Sequence, residues 1–167
     1  MTVDIRPVAD DQWDVVAWLY QLFRHDVTAQ VASMYPPYAD GRYRHDRLDE
    51  YPAPDATGYL AWAPHPKDGA EAPAAFALVN RLGSGRNHLA AFYVLPYYRR
   101  GGLGRRLVRD VVGRHPGGWE IAFQHENEPA IRFWRSVATD LWGDAWVETE
   151  EPVPDVDVPP DHWIRTT

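Results

Sequence analysis

Between Tyr93 and Leu107 the chain reads Tyr-Val-Leu-Pro-Tyr-Tyr-Arg-Arg-Gly-Gly-Leu-Gly-Arg-Arg-Leu. The residue types change in a telling order. A β-branched and aromatic run is closed by Pro96, a basic turn and a glycine cluster follow, and then come helix formers. A strand that opens into a helix across glycines leaves the first-turn N–H groups free. It also puts the positive end of the helix dipole beside them, which makes an anion site. Arg99, Arg100, Arg105 and Arg106 flank that turn. The chemistry implied is the holding of a phosphate.

Three glycine-loop templates differ in the phosphate they hold. A nucleotide P-loop needs G-x-x-x-x-G-K-[ST]. Here Gly104 is followed by Arg105-Arg106, and the only lysine of the chain is Lys67. A dinucleotide fingerprint needs G-x-G-x-x-G/A at the first crossover of a parallel sheet. Gly102 and Gly104 supply two positions, but Leu107 stands at the third and would block close helix–strand packing. The third template is [QR]-x-x-G-x-[GA] after a strand ending in Val-x-Pro. Arg99-Arg-Gly-Gly102-Leu-Gly104 matches each of its positions, and Phe92-Tyr-Val-Leu-Pro96 matches the strand.

On these residues the sequence resembles the Gcn5-related N-acetyltransferase (GNAT) family, whose members bind acetyl-CoA. The second signature of that family, Asn-x-x-Ala-x-x-Phe-[Tyr/Trp], is matched by Asn127-Glu-Pro-Ala130-Ile-Arg-Phe133-Trp134. The resemblance spans roughly Ala74 to Val137. His25-Asp26, Asp-Gly-Arg at 40–42, Leu-Asp-Glu-Tyr at 48–51 and the run at 77–86 are similar to a poorly characterised bacterial branch of the family. The resemblance implies that Arg99, Arg100, Gly101, Gly102, Leu103, Gly104 and Arg105 hold the pyrophosphate. It implies that Tyr93, Val94 and Leu95 meet the pantetheine arm and thioester, with unpaired backbone at Val94 and Leu95 facing the ligand. Asn127, Ala130, Phe133 and Trp134 would line the arm. The plainer alternatives are a helix cap for Asn127 and ordinary core for Phe133 and Trp134.

The implied reaction is direct attack of an amine on the thioester carbonyl, which needs a base for the ammonium proton and an acid for the thiolate. Many family members carry a tyrosine acid where this chain has Trp134, and a glutamate base on the strand before the loop, where it has none. The candidates left are His125 and His88 as base, since an imidazole suits that role at neutral pH, and Tyr93 as acid. Glu126 is more simply a dipole partner for the following helix. The acceptor cleft is expected between residues 11–40 and the C-terminal hairpin, whose acidic and aromatic residues (Asp26, Tyr35, Tyr38, Glu148, Glu150, Glu151, Asp155 and Asp157) suit a cationic amine. The reading is N-acetylation of a small-molecule amine. Its rivals are a protein or peptide N-acetyltransferase and a non-catalytic acyl-CoA-binding module. A homodimer is a family-level expectation.

The elements that must position these groups follow from patterning. Residues 2–8 read as a strand, and Asp10 or Asp11 caps a helix to about His25. That helix carries apolar residues on too many sides for one stripe, so it should be covered twice. The charged stretch 42–51, with His45, suits a short helix. Strands are expected at 58–63, 74–82 and 87–95, the last two as a hairpin around Gly83-Ser-Gly85. A helix over 102–114, a strand over 119–124, a helix capped by Asn127 and strands at 145–149 and 162–165 complete the order. This is an α+β fold, one domain over residues 1–167, with a mixed sheet of about six or seven strands flanked by about four helices. By the resemblance, two strands splay apart at the acetyl-CoA cleft.

Bulk properties narrow the rest. A chain of 167 residues with 45% hydrophobic and 25% charged residues suits a single globular core. It has no cysteine, which excludes disulfides, thiolate metal sites and cysteine nucleophiles. The seven histidines show no zinc-type spacing, and no metal is expected. A net charge of −7 argues against nucleic-acid binding. No apolar run reaches the ~18 residues of a membrane span, and the N-terminus carries no apolar signal segment, so a cytoplasmic location is expected.

Overall fold

The computed structural model describes residues 2–31, 34–44 and 46–167. Seven strands are present: β1 (Asp4–Pro7), β2 (Thr57–Pro64), β3 (Glu71–Asn80), β4 (Arg86–Val94), β5 (Gly118–Gln124), β6 (Trp146–Glu151) and β7 (Asp161–Thr166). They form one sheet in the order β1-β2-β3-β4-β5-β7-β6. The β4–β5 pair is parallel and every other neighbouring pair is antiparallel. Three α-helices pack on the sheet: α1 (Trp13–Thr28), α2 (Leu103–Arg114) and α3 (Glu128–Trp142). The expected fourth helix is, among the described residues, a 3-10 turn at Asp46–Glu50; His45 lies outside the described residues.

Alternation along the central strands splits the core in two. β3 is buried from Ala74 to Val79. Ala75, Ala77 and Val79 join the core under α2 and α3, with Leu107, Val108, Val111, Trp134 and Val137. Phe76 and Leu78 join the core under α1, with Val16, Leu19 and Tyr20. A strand covered on both faces reads as a continuous apolar run, and Ala-Ala-Phe-Ala-Leu-Val does so. The start of α1 differs from expectation. Asp10–Gln12 form a 3-10 turn, and Gln12 Oε1 accepts the Ala9 N–H, with no capping bond from an aspartate. Besides the sheet, α1 is covered by Tyr43, Leu48 and Tyr51: Gln21 exchanges two hydrogen bonds with the Tyr43 backbone, and Leu48 and Tyr51 share the core of Val16, Leu19 and Tyr20, while Trp18 (70% exposed) and Leu22 lie open.

The feature that positions the site is a bulge. Leu78 pairs with Ala91 and Val79 with Leu89, so Ala90 is an extra residue in β4. An extra residue bends a strand and breaks its ladder. The parallel pairing of β4 with β5 runs from Arg86↔Gly118 to Leu89↔Ile121, so its last pair stands just before Ala90. Beyond that point the two strands part, as the resemblance implied. Pro96 then starts a 3-10 turn that leads to the glycine cluster and α2.

Candidate active site

The parting strands open into a cavity of about 640 Å³, within the range of ligand-binding sites. Its walls come from the end of α1 (Phe23, Asp26, Gln30), from β4 and β5 past the bulge, from the β4–α2 turn and from the start of α3. Tyr93, Val94, Arg99, Arg100, Gly104, Asn127, Ala130, Phe133 and Trp134 all line it.

Two kinds of free backbone N–H face this space. The Leu95 N–H bonds the Ala74 carbonyl at 2.9 Å, so it points toward β3. By strand alternation the N–H groups of Val94 and Phe92 point the other way, into the splay. Of the expected pair Val94 and Leu95, then, the Leu95 amide is already bonded to β3. The second kind comes from α2. Its N-cap is Gly102, at φ 80, and no side chain caps the helix. The first helical acceptor bond is Arg106 N–H to Gly102 O, which leaves the first-turn N–H groups of Leu103, Gly104 and Arg105 without helical partners. Arg100 also holds positive φ, at 66. For a residue with a Cβ that costs about 1 kcal/mol or more, and such strain concentrates at ligand sites. The turn fits a pyrophosphate on this evidence: a left-handed approach, open donors, and side-chain-free backbone at Gly101 and Gly102, where an added Cβ would meet nothing within 4 Å.

The four arginines divide. Arg100 lines the cavity with no acidic partner among the described residues. Arg105 reaches α3, donating to Asp140 and, at 2.6 Å, to Ser136 Oγ. Arg106 donates to the Val3 carbonyl. Arg99 donates through Nε to the Val94 carbonyl at 2.8 Å and through Nη2 to Asp26 Oδ2 at 2.6 Å. The same Asp26 oxygen accepts the Tyr93 hydroxyl at 3.1 Å. Asp26 therefore ties α1 to β4 and to the basic turn at the cavity wall. The sequence reading placed Asp26 at the cleft only as one of six acids; its pairing with Tyr93 and Arg99 joins residues too far apart in the chain for any local pattern to signal.

Tyr93 is buried, and burial first, then Asp26, push its phenol up from its ordinary value to about 12, with Arg99 offsetting part of this. The unfolded chain ionises this group near 10 and the folded chain near 12. The stabilisation is therefore complete below pH 10 and is lost as pH rises toward 12. It amounts to about 2–3 kcal/mol. Between about pH 9.5 and pH 11.5 the urea midpoint of the native chain should fall further than that of Tyr93→Phe. Equal falls in the two proteins would refute this coupling.

The remaining candidates are placed as follows. Asn127 caps α3, its Oδ1 accepting the Ala130 N–H at 3.3 Å, and it also lines the cavity. Phe133 and Trp134 are packed with Phe92, at centroid distances of 5.5 and 5.1 Å, and form one wall. Leu103 is buried in the core under α2. His88 lines a second, smaller cavity of about 280 Å³, together with Tyr20, Glu50, Asn80 and Arg81. The two cavities share Ala90 and Ala91, so they adjoin at the bulge. His125 lines neither. Its Nδ1 lies 2.9 Å from His162 Nε2. Sequence reading treated His162 as a strand residue; only the pairing of β5 with β7 brings it to His125.

No helix among the described residues is long and apolar enough to cross a membrane. No curated protein sequence matches the chain. Among solved structures, the chain is similar to a ribosomal-protein-alanine N-acetyltransferase from Escherichia coli, with 15% identity, TM-score 0.62, and 98% of this chain covering 92% of that one. It is similar to NAA60 of Arabidopsis thaliana in complex with acetyl-CoA, with 15% identity, TM-score 0.63, and coverage of 99% and 98%. It is also similar to nourseothricin acetyltransferase, with 16% identity, TM-score 0.61, and coverage of 99% and 98%. At these identities the likeness is one of fold. The sequence profile of the acetyltransferase (GNAT) family matches residues 19–138, across the bulge, the glycine turn and the Asn127 helix. The chain therefore belongs to the GNAT acetyltransferase family.

Proposed function

We propose that the chain transfers an acetyl group from acetyl-CoA to the primary amine of a small molecule, by direct attack on the thioester carbonyl through a tetrahedral intermediate. The observation that carries this reading is the placement of Asp26. Among the described residues it is the one carboxylate lining the main cavity, and it comes from α1, with one oxygen on Arg99 and Tyr93 and the other open. A carboxylate there suits a cationic acceptor. The space adjoining the splay is a recess of about 280 Å³, a size that suits a small amine.

The residues take the following roles. The first-turn N–H groups of α2 and the Arg100 guanidinium hold the pyrophosphate. The Asn127 amide and the Ala130–Phe133 face align the pantetheine arm. The Val94 N–H aims into the splay and serves as the oxyanion donor, and Arg99 on the Val94 carbonyl keeps that stretch of backbone in place. His88, in the adjoining recess, takes the ammonium proton. The Tyr93 hydroxyl donates to Asp26 and so holds that carboxylate in place, and the departing thiolate takes its proton from bulk solvent.

Release of free thiol from acetyl-CoA, followed with small polyamines, amino sugars and short peptides, tests this. Turnover on small amines with little on peptides is expected. Turnover confined to peptides would transfer the activity to protein amines; the name of the Escherichia coli structure gives a ribosomal protein as the substrate of that enzyme. Tight acetyl-CoA binding with no turnover on any amine would make the chain a binding module.

A further inference from the structure

We propose that His125, His162 and Glu150 form a binding site for a zinc-class divalent cation at the far end of the sheet. Each offers one ligand atom, and these atoms lie within 4.8 Å of one another. Strand register brings them together. Phe123 on β5 and Glu150 on β6 both stand directly opposite His162 on β7. Residues opposite one another share a face, and His125, two beyond Phe123, continues that face past the end of β5.

The surroundings of His162 point to a ligand rather than a chance cluster. The residue is 3% exposed and its ring lies flat on Phe123, at 5.5 Å and 6°. Its Nδ1 is 2.6 Å from Glu148 Oε1, and Glu148 is itself gripped by two bonds from Arg135. A carboxylate on one imidazole nitrogen fixes the tautomer and leaves a lone pair on the other, the usual outer arrangement of a metal-bound histidine. That lone pair, on His162 Nε2, faces His125 Nδ1 at 2.9 Å. Without a cation the His125 Nδ1–H fills the gap. With one, His125 carries its hydrogen on Nε2 and both facing nitrogens become ligands.

Two nitrogens on a tetrahedral zinc stand about 3.3 Å apart, given bonds of 2.0–2.1 Å. His125 is exposed and can open by the few tenths of an ångström required. Glu150, also exposed, supplies the third ligand and water the fourth. Two imidazoles and one carboxylate favour zinc over magnesium or calcium, which prefer all-oxygen shells. Acetyl transfer in this family needs no metal. A cation here acts on the fold, fastening the β6–β7 hairpin to the end of β5, next to Gln124 and Asn127 of the cavity wall.

The test uses the full chain stripped with chelator, titrated with zinc chloride by calorimetry and with cobalt(II) as an optical probe of tetrahedral geometry. One zinc per chain, tetrahedral cobalt bands and a raised melting temperature are expected. His125→Ala and Glu150→Ala, both at exposed positions, should each weaken binding at least tenfold, whereas His65→Ala should not. Glu148→Gln, which loses the orienting charge, should weaken it by about 10- to 100-fold. Absence of saturable one-to-one binding would overturn the proposal, as would unchanged affinity in both His125→Ala and Glu150→Ala.

Discussion

Gly104→Val should lower acetyl-CoA affinity by more than about 100-fold, close to 2.7 kcal/mol, while the variant melts cooperatively at a reduced temperature. A Cβ at this position would sit 3.3 Å from Phe133 Cε2 and Cζ and from Phe92 Cζ. Alanine would already press on these rings, and the two methyl groups of valine must push them apart. Both rings line the cavity, so the displacement narrows the place where the pantetheine arm should lie. The Gly104 N–H is also one of the open donors of the first turn of α2, and each bond from such a donor to a charged phosphate is worth about 1.5–3 kcal/mol. The same crowding lies between α2 and α3, so overpacking should cost about 1–3 kcal/mol of stability. Binding and folding therefore have to be measured separately, by calorimetry with acetyl-CoA and by circular dichroism melts. Gly113→Ala, late in α2, is the control. Its Cβ meets nothing within 4 Å, so it should leave acetyl-CoA affinity unchanged and not lower the melting temperature. A folded Gly104→Val that binds acetyl-CoA as tightly as the native chain would place the donor elsewhere.

The glycine turn and the α3 cap were legible in the sequence because each is written locally. The turn Arg99–Gly104 and the cap Asn127–Ala130 each depend on residues close in the chain, and backbone requirements such as the left-handed Gly102 show directly in residue type. Strand and helix order was legible for the same reason. Glu71, Ala72 and Pro73 belong to β3, although the loop-like Pro64–Pro73 composition concealed them. The bulge at Ala90 had no signal either, since it is a mismatch in register between β3 and β4 and alanine is unremarkable at such a position. The contacts hardest to read are those that span the chain: Asp26 to Tyr93 and Arg99, and His125 to His162. Of the acids expected around the cleft, Glu148 is engaged by Arg135 and His162, and Glu151 by Arg165. Asp26 is paired as well, with Arg99 and Tyr93; what separates it from them is that it lines the main cavity.

Asp26→Asn should act on the two substrates in opposite directions. Among the described residues the cavity wall carries Arg99, Arg100 and one carboxylate. Asp26 spends Oδ2 on Tyr93 and Arg99; Oδ1 has no hydrogen-bond partner among the described residues. Asparagine keeps an oxygen for the Tyr93 hydroxyl, so the buried phenol is not orphaned, but the charge is gone and Arg99 is no longer neutralised. Extra positive potential favours the donor's phosphates, so the KM for acetyl-CoA should hold or fall. It opposes a cationic acceptor, and kcat/KM for a protonated amine should drop by roughly 30- to 100-fold, about 2–2.7 kcal/mol. A weakly basic amine, neutral at the assay pH, separates anchoring from architecture. If Asp26 attracts the ammonium charge, the neutral nucleophile should lose little in the variant. If Asp26 only holds Tyr93 and Arg99 in place, both amines should lose equally, and the anchoring role would be refuted. The native fold of the variant can be checked through its melting temperature. Because the salt bridge to Arg99 is between partly exposed groups (44% and 36%), its loss should cost no more than about 1 kcal/mol.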